Sequence, residues 1–482
     1  MNAEFEIHLF EEHSDTLSVW WQHRRPGSTV VYLDAHLDLQ ETTAGGIERL
    51  RQCNAVKEVR RLAAPHHLNQ SQHYAYGIED FLHPASRLGL LERLIWVAPP
   101  HVPRGYTRSL VEYMQQMDGI DFDELTGFRR TGGAFRGRLL GLDITICDYE
   151  HLADIDIGGE YALDIDIDFF VEVPGDRLWV DPAAVVDKVL EQLGPPRVAT
   201  ISRAVTSGFT PLPYRFVGDY VRTLLAGDDA GRSHFGKLFE IAAGTGKRAR
   251  RIALARDSLA ARPDCPHAMF LAAGLDEDPG TARSLAARAA SIDPGYGPDV
   301  SRDASAYPHR RLPLRHADLE RLLAALAEEQ DDERRAPAEL AVARLLALAG
   351  RLDEAEALLR RQGGESAVHG DIALDIARAH LGRGSTDRAA AWLDCASRLH
   401  RTRTTAVLLR GDLALRDGRA REAMQHYDEA ADRARAWMLP LTRRRDCLRI
   451  IGDHRAARVL SGLIEERSRV IDSLVAKDSA GG

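Results

Sequence analysis

Three alanines, Ala355, Ala389 and Ala423, stand 34 residues apart, and a glycine precedes each by five positions: Gly350, Gly384 and Gly418. Leu359, Leu393 and Tyr427 repeat at the same spacing. Gly452-Asp453-His454-Arg455-Ala456 opens a fourth copy that reads one residue short. A period of this length is one pair of helices joined by a turn. Such a pair cannot bury its apolar face alone, so successive pairs must stack into a solenoid. The glycine suits the turn and the alanine lets the helices approach closely. From about residue 236 onward Ala, Leu, Arg and Glu dominate and strand-like runs vanish. Residues 250–266 and 279–294 read as a degenerate earlier pair. Residues 301–336, with Tyr307-Pro308 and the acidic run 328–333, read as an irregular, charged connection.

Residues 1–235 have a different character. Strand candidates lie at 29–33, 93–98, 139–147, 162–166 and 197–202, with helical stretches such as 78–90 and 182–193 between them. That alternation predicts an α/β domain, a parallel sheet between layers of helices. Ligands of such folds bind beyond the carboxyl ends of the strands.

Two motifs sit at such ends. Asp34-Ala35-His36-Leu37-Asp38 follows the apolar run Val30-Val31-Tyr32-Leu33, and Asp164-Ile165-Asp166-Ile167-Asp168 follows Tyr161-Ala162-Leu163. Strand side chains alternate faces, so residues two apart point the same way. Clustered carboxylates in a partly dry cleft require a counter-charge, which divalent metal supplies. Five Asp and one His exceed what one such ion usually takes from protein, and a two-metal centre is expected.

Composition excludes several alternatives. The net charge of −9 gives no footprint for nucleic acid. Five scattered cysteines without a CxxC argue against a disulfide framework and a zinc–thiolate site, and suit a reducing cytoplasm. The first six residues lack the basic and apolar regions of a signal peptide, and no run approaches a membrane span.

The paired acidic motifs resemble the arginase/agmatinase (ureohydrolase) superfamily. That resemblance implies a three-layer arginase-like fold and two Mn²⁺ per chain. It makes Asp34 and Asp164 bridging ligands, with His13 and Asp38 completing one ion and His36 and Asp166 the other. His13, in Glu11-Glu12-His13, lies 21 residues before Asp34 at the start of a helical stretch, where the family has a further ligand. Asp168 has no ligand counterpart and is expected to support a ligand. The implied reaction is attack of water on a guanidinium, giving urea and an amine, with Asp38 orienting the nucleophile. His66, His67, His73 and His83 lie between the motifs, where the family places a proton shuttle; His73 and His67 are foremost.

Glu11-Glu12 replaces the twin glycine of arginases, and Ile167-Asp168-Phe169-Phe170 replaces their turn ending in Asp-Pro. Ser202 and Arg203 stand on the late strand near where arginases carry a guanidinium-binding glutamate. These departures resemble peptide arginases, which convert arginine to ornithine in ribosomally made peptides. Glu79 and Asp80 are then candidates for the guanidinium partner, and Ser202 and Arg203 for other substrate contacts. The 34-residue period resembles tetratricopeptide repeats. Such an array is expected to hold a precursor peptide, or to mediate homo-oligomerisation or recruitment. The alternatives are a hydrolase of another small guanidine or amide, and a repeat-based scaffold with an inactive α/β domain.

Overall fold

Val30, Val31, Tyr32 and Leu33 are all fully buried, as a strand covered on both faces must be. In the computed structural model, residues 5–24, 28–68, 73–101, 108–131, 133–244, 246–361 and 370–479 are described. The first four residues of the N-terminal stretch read above lie outside them. Ten strands occur among the described residues: β1 (Glu6–Phe10), β2 (Thr29–Leu33), β3 (Arg93–Ala98), β4 (Arg129–Thr131), β5 (Ala134–Leu139), β6 (Leu142–Asp148), β7 (Tyr161–Asp166), β8 (Val171–Glu172), β9 (Arg177–Leu178) and β10 (Val198–Ser202). Eight form one sheet in the order β1-β10-β7-β2-β3-β6-β5-β4, and β8 and β9 form a small hairpin.

The first six strands of that order run parallel. The last two run antiparallel, so the sheet is mixed where a parallel one was expected. The strand expected at 139–147 is the corner of this departure. Leu140 and Gly141 both take positive φ, and the chain doubles back between β5 and β6. Such a two-residue turn needs left-handed backbone at both positions. Gly141 adopts it freely, whereas leucine in that role carries no recognisable sequence signal. β1 was also missed, because an edge strand of half-buried residues shows little apolar alternation. The helix expected over 78–90 is only Leu82–Arg87; Asp80 turns the preceding loop by accepting a bond from the Gly77 N–H.

The two faces of the sheet bury different sets of residues. Val30, Tyr32, Leu94 and Trp96 join one core with Leu17, Trp20, Leu82 and Val111 from helices on that side. Val31, Leu33, Ile95 and Val97 join the other with Val185, Val186, Val217 and Leu238. This second core reaches Leu275 without interruption. The domain boundary expected at residue 235 therefore falls inside a helix, Asp229–Ala242, whose Phe235, Leu238 and Ile241 pack into the sheet's own core.

The repeat is present as helix pairs: Asp332–Leu348 with Leu352–Arg361, Gly370–Gly382 with Thr386–Ser397, His400–Arg416 with Ala420–Arg433, and Met438–Ile450 with His454–Ser479. The turn glycines Gly350, Gly384, Gly418 and Gly452 have φ of 77°, 74°, 78° and 83°. Ala355, Ala389 and Ala423 are fully buried, and Ala457 nearly so. The fourth copy thus keeps the full period, its packing alanine being Ala457 and not Ala456. Residues 301–336 are not irregular. They carry helices Val300–His309 and His316–Glu328, and the acidic run holds the break before Asp332–Leu348, where the Asp331 side chain accepts from the Glu333 N–H.

The helical region begins against one face of the sheet and ends against the other, where Ala436 and Ile471 enter the first core. Between them it is fastened at several points. The Asp118 carboxylate takes bonds from Thr404 and Arg433, and Arg435 pairs with Asp121. Truncation after residue 235 cuts a core helix and uncovers both faces. The expected outcome is insoluble protein; a soluble, monomeric fragment with cooperative thermal unfolding contradicts this packing.

Candidate metal centre

The chain leaves β2 toward β3 and leaves β7 toward β10, in opposite directions across the sheet. A crevice opens where two neighbouring strands diverge in this way. β2 and β7 pair with Tyr32 opposite Asp164 and Leu33 opposite Ile165. One step further along lie Asp34 and Asp166, side by side at the carboxyl edge. β1 ends at Phe10, opposite Ser202 of β10, and delivers Glu11, Glu12 and His13 to the same edge.

His13 is buried and its ring is fixed on both sides. It lies parallel to Tyr32 at 5.5 Å, and its Nε2 is 2.6 Å from Asp164 Oδ2. Its Nδ1 faces three carboxylates: Asp34 Oδ2 at 3.2 Å, Asp38 Oδ2 at 3.2 Å and Asp166 Oδ2 at 3.1 Å. Beyond Asp34, the half-exposed His36 has its Nδ1 2.8 Å from Asp168 Oδ2 and 3.7 Å from Asp34 Oδ1. Two ligand groups result, His13/Asp34/Asp166 and Asp34/His36/Asp168, and Asp34 belongs to both.

These residues fit two divalent ions. His13 Nδ1 and Asp34 Oδ2 are buried without a hydrogen-bond partner. Such atoms are costly unless something else satisfies them. Adjacent ligands of an octahedral ion with bonds near 2.1 Å stand about 3.0 Å apart, close to the spacings around His13 Nδ1. Imidazole with several carboxylates suits manganese among the divalent metals.

The geometry divides the roles differently from the expected scheme. Asp164 was expected to bridge the ions. Its Oδ2 meets His13 Nε2, and its Oδ1 accepts from Thr16 Oγ1 and Thr200 Oγ1. Both oxygens are engaged, so Asp164 orients His13 from behind, as carboxylates do for metal-binding histidines. Asp168, expected to support, stands in a ligand group. Its other oxygen accepts from the Ala35 N–H. The cause is depth: Asp164 lies two residues inside the strand, below the rim. Asp38 is steadied by the Tyr32 hydroxyl, 3.0 Å from its Oδ2.

Electrostatics follow the crowding. Burial opposes a charge on His13, but Asp164 and Asp166 outweigh it and hold the imidazole well above its ordinary value. Burial and the Asp168 charge push Asp166 upward. On Asp34, burial is outweighed by the neighbouring His13 and His36 imidazoles, which hold it low.

A cavity of about 230 Å³ opens on this cluster. Glu12, Glu79, Tyr113 and Phe209 line it, as do His309, Arg344 and Asp371 from the helical region. The last three were not anticipated, because no local signal ties a distant helix to a strand end. Glu79 and Asp80, expected to grip a guanidinium, are engaged by Arg401: Glu79 Oε2 is 2.7 Å from its Nη2 and Asp80 Oδ2 is 3.6 Å from its Nε. Arg203 is tied to Glu11 at 2.8 Å and Asp219 at 2.7 Å. Ser202 is fully buried beside Asp166 on β10.

The histidines also separate. His73 is exposed on a loop whose carbonyl accepts from Arg49, and it does not line the cavity. His67 is buried one contact back, its Nε2 3.0 Å from His309 Nε2. His66 bonds Ser301, and His83 accepts from the Thr42 N–H; burial takes the His83 imidazole down to about 4.

No protein-family model matches the chain, and no curated protein does. Several solved structures align with part of it. The type IV pilus biogenesis factor PilW matches at 17% identity over 42% of this chain and 93% of its own, with a TM-score of 0.25. Pseudomonas aeruginosa pilF matches at 16% over 42% and 91%, with a TM-score of 0.23. The Thermus thermophilus TPR protein TTC0263 matches at 19% over 45% and 96%, with a TM-score of 0.18. No helix among the described residues is long and apolar enough to cross a membrane.

Two outcomes test the division of roles. Asp164→Asn should keep both ions and weaken the first by about 10- to 100-fold, the usual effect of losing a partner behind a ligand. Asp168→Asn should lose the second ion. Loss of both ions in the Asp164 variant, by equilibrium dialysis, restores the bridging role to that residue. Proton release is the second test. The carboxylates around His13 and His36 favour the protonated imidazoles, so Mn²⁺ binding should expel protons and tighten as pH rises. Calorimetric heats that are identical in buffers of different ionisation enthalpy contradict this.

Proposed function

We propose that this chain is a manganese-dependent hydrolase that converts arginine side chains of a ribosomally made peptide to ornithine and releases urea. The observation that carries the reading is the sharing of Asp34 between two ligand groups, the arrangement a paired-ion hydrolase needs. The arginase-like motifs supply the reaction class. Two divalent ions at such a site supply a water acidic enough to ionise near neutral pH and a positive field for developing charge.

The chain's own residues do the rest. His13, Asp34, Asp38 and Asp166 would hold one ion; Asp34, His36 and Asp168 would hold the other. Asp38, held by Tyr32, is placed to accept a bond from the attacking water and aim its lone pair. Water adds to the guanidinium carbon, and the bond from that carbon to the side-chain nitrogen breaks. The departing amine needs a proton. His309 lines the cavity and pairs with His67, so His309 is the donor in reach and His67 its partner. His73 takes no part.

The cavity is sized for a side chain, and the helical region builds part of its wall through Arg344 and Asp371. That shared wall supports the view that the repeats position a peptide. One observation favours a second reading, free arginine: Arg344, whose Nε is bonded to Asp375, and Asp371 bring opposite charges to one wall of the cavity, as a free carboxylate and ammonium would need. The discriminating measurement is urea release by the Mn²⁺-loaded full chain. An internal arginine in a blocked peptide should be hydrolysed at higher kcat/KM than free arginine. Asp34→Ala should abolish the activity, and His36→Ala should reduce it less. Urea from free arginine alone selects the second reading, and no urea from either substrate removes both.

A further inference from the structure

The adjacent glutamates that precede His13 are in opposite electrostatic situations. Glu11 is compensated twice. Arg215 places Nη1 2.6 Å from Glu11 Oε2 and Nη2 2.6 Å from Oε1, and Arg203 adds a bond at 2.8 Å. Glu12 has no such partner. Both of its carboxylate oxygens are buried and accept no hydrogen bond. The charges that act on it most strongly are themselves acidic: Glu11, Asp166, Asp15 and Asp299. Arg344, the arginine on the same cavity wall, directs its Nε to Asp375 instead.

A buried carboxylate without a counter-charge is among the most costly groups a fold can hold. Glu12 lines the cavity, yet it belongs to neither metal-ligand group. Its position is rigid. The Asp15 N–H donates to the Glu12 carbonyl at 3.2 Å, and the turn His13–Asp15 follows at once. The backbone is therefore fixed one residue from a ligand, and the Glu12 side chain forms part of the wall of the cavity that opens on the ligand cluster.

From this we infer that Glu12 is the binding site for the substrate's positive charge, a planar guanidinium taken through two parallel N–H···O bonds. The inference rests on the hydrolase reading and supplies its missing specificity contact, the role expected of Glu79 and Asp80 that Arg401 already fills. A carboxylate accepts both N–H groups of one guanidinium edge in a single plane. Glu12 shares the cavity with His13 and Asp166, so a guanidinium seated on it lies in the same space as those ligands. A neutral urea group of the same shape leaves the carboxylate uncompensated and is rejected.

The test compares two blocked pentapeptides that differ only in a central arginine or citrulline. Calorimetry on the Mn²⁺-loaded full chain should show the arginine peptide binding tighter by on the order of a hundredfold, the effect of one buried charge-assisted pair. Glu12→Gln should bind both peptides alike and retain its manganese. Glu12→Asp, which keeps the charge, should retain a preference for arginine. Loss of manganese in Glu12→Gln makes Glu12 a ligand and overturns the inference. An undiminished preference for arginine in that variant, or no preference in the wild type, also overturns it. The two readings fail separately. A wild type that prefers the arginine peptide but releases no urea defeats the hydrolase reading and leaves this one standing. Urea release with an unchanged KM in Glu12→Gln does the reverse.

Discussion

The parallel pairing of β2 with β7 governs the rest of the molecule. It sets Leu33 against Ile165, and so brings Asp34 beside Asp166 at the rim. Both strands are buried on two faces, so a slip of one residue would send their apolar side chains to the wrong layers and turn the acids inward. The register that the core demands is the register that collects the charge. Asp34, Asp164, Asp166 and Asp168 are each nearly inaccessible to solvent. Such a cluster is tolerable only where histidine, hydroxyl and backbone groups engage part of it and a cation engages the remainder.

A second consequence concerns the helical repeats. In many proteins a repeat array is an appendage joined by a linker. Here it starts on one sheet face, crosses the strand ends and finishes on the other face. Its Arg401 reaches Glu79, and His309, Arg344 and Asp371 join the cavity wall. The site therefore has a floor from the sheet and a wall from the helices. Changes far along the chain can alter what the cavity admits without touching a ligand.

Much of this was legible in the sequence because it depends on local signals. Strands 29–33 and 93–98 coincide with β2 and β3, where β-branched and apolar residues run without interruption. The turn glycines announced themselves by period, and all four take positive φ. The clustering of Asp34, His36, Asp38 and Asp166 followed from their places at strand ends, and that of His13 from the family resemblance and its place at a helix start. What spacing could not give was depth along a strand, which sets Asp164 behind His13 and Asp168 beside His36. Nor could it give pairing between distant segments. Glu79 and Asp80 look available in the sequence because Arg401 lies more than 300 residues away. Glu11-Glu12 stood in the sequence only as a departure from the twin glycine of arginases, because the two arginines that compensate Glu11 alone are also distant.

The central claim is that Asp34 is shared by two metal ions. Anomalous diffraction at the manganese absorption edge, from crystals of the full chain grown with Mn²⁺, tests it most directly. The account predicts two peaks a few ångströms apart, one against His13 Nδ1 and Asp166, the other against His36 Nδ1 and Asp168, with Asp34 contacting both. No peak at these residues, or a single peak that leaves Asp34 untouched, contradicts it.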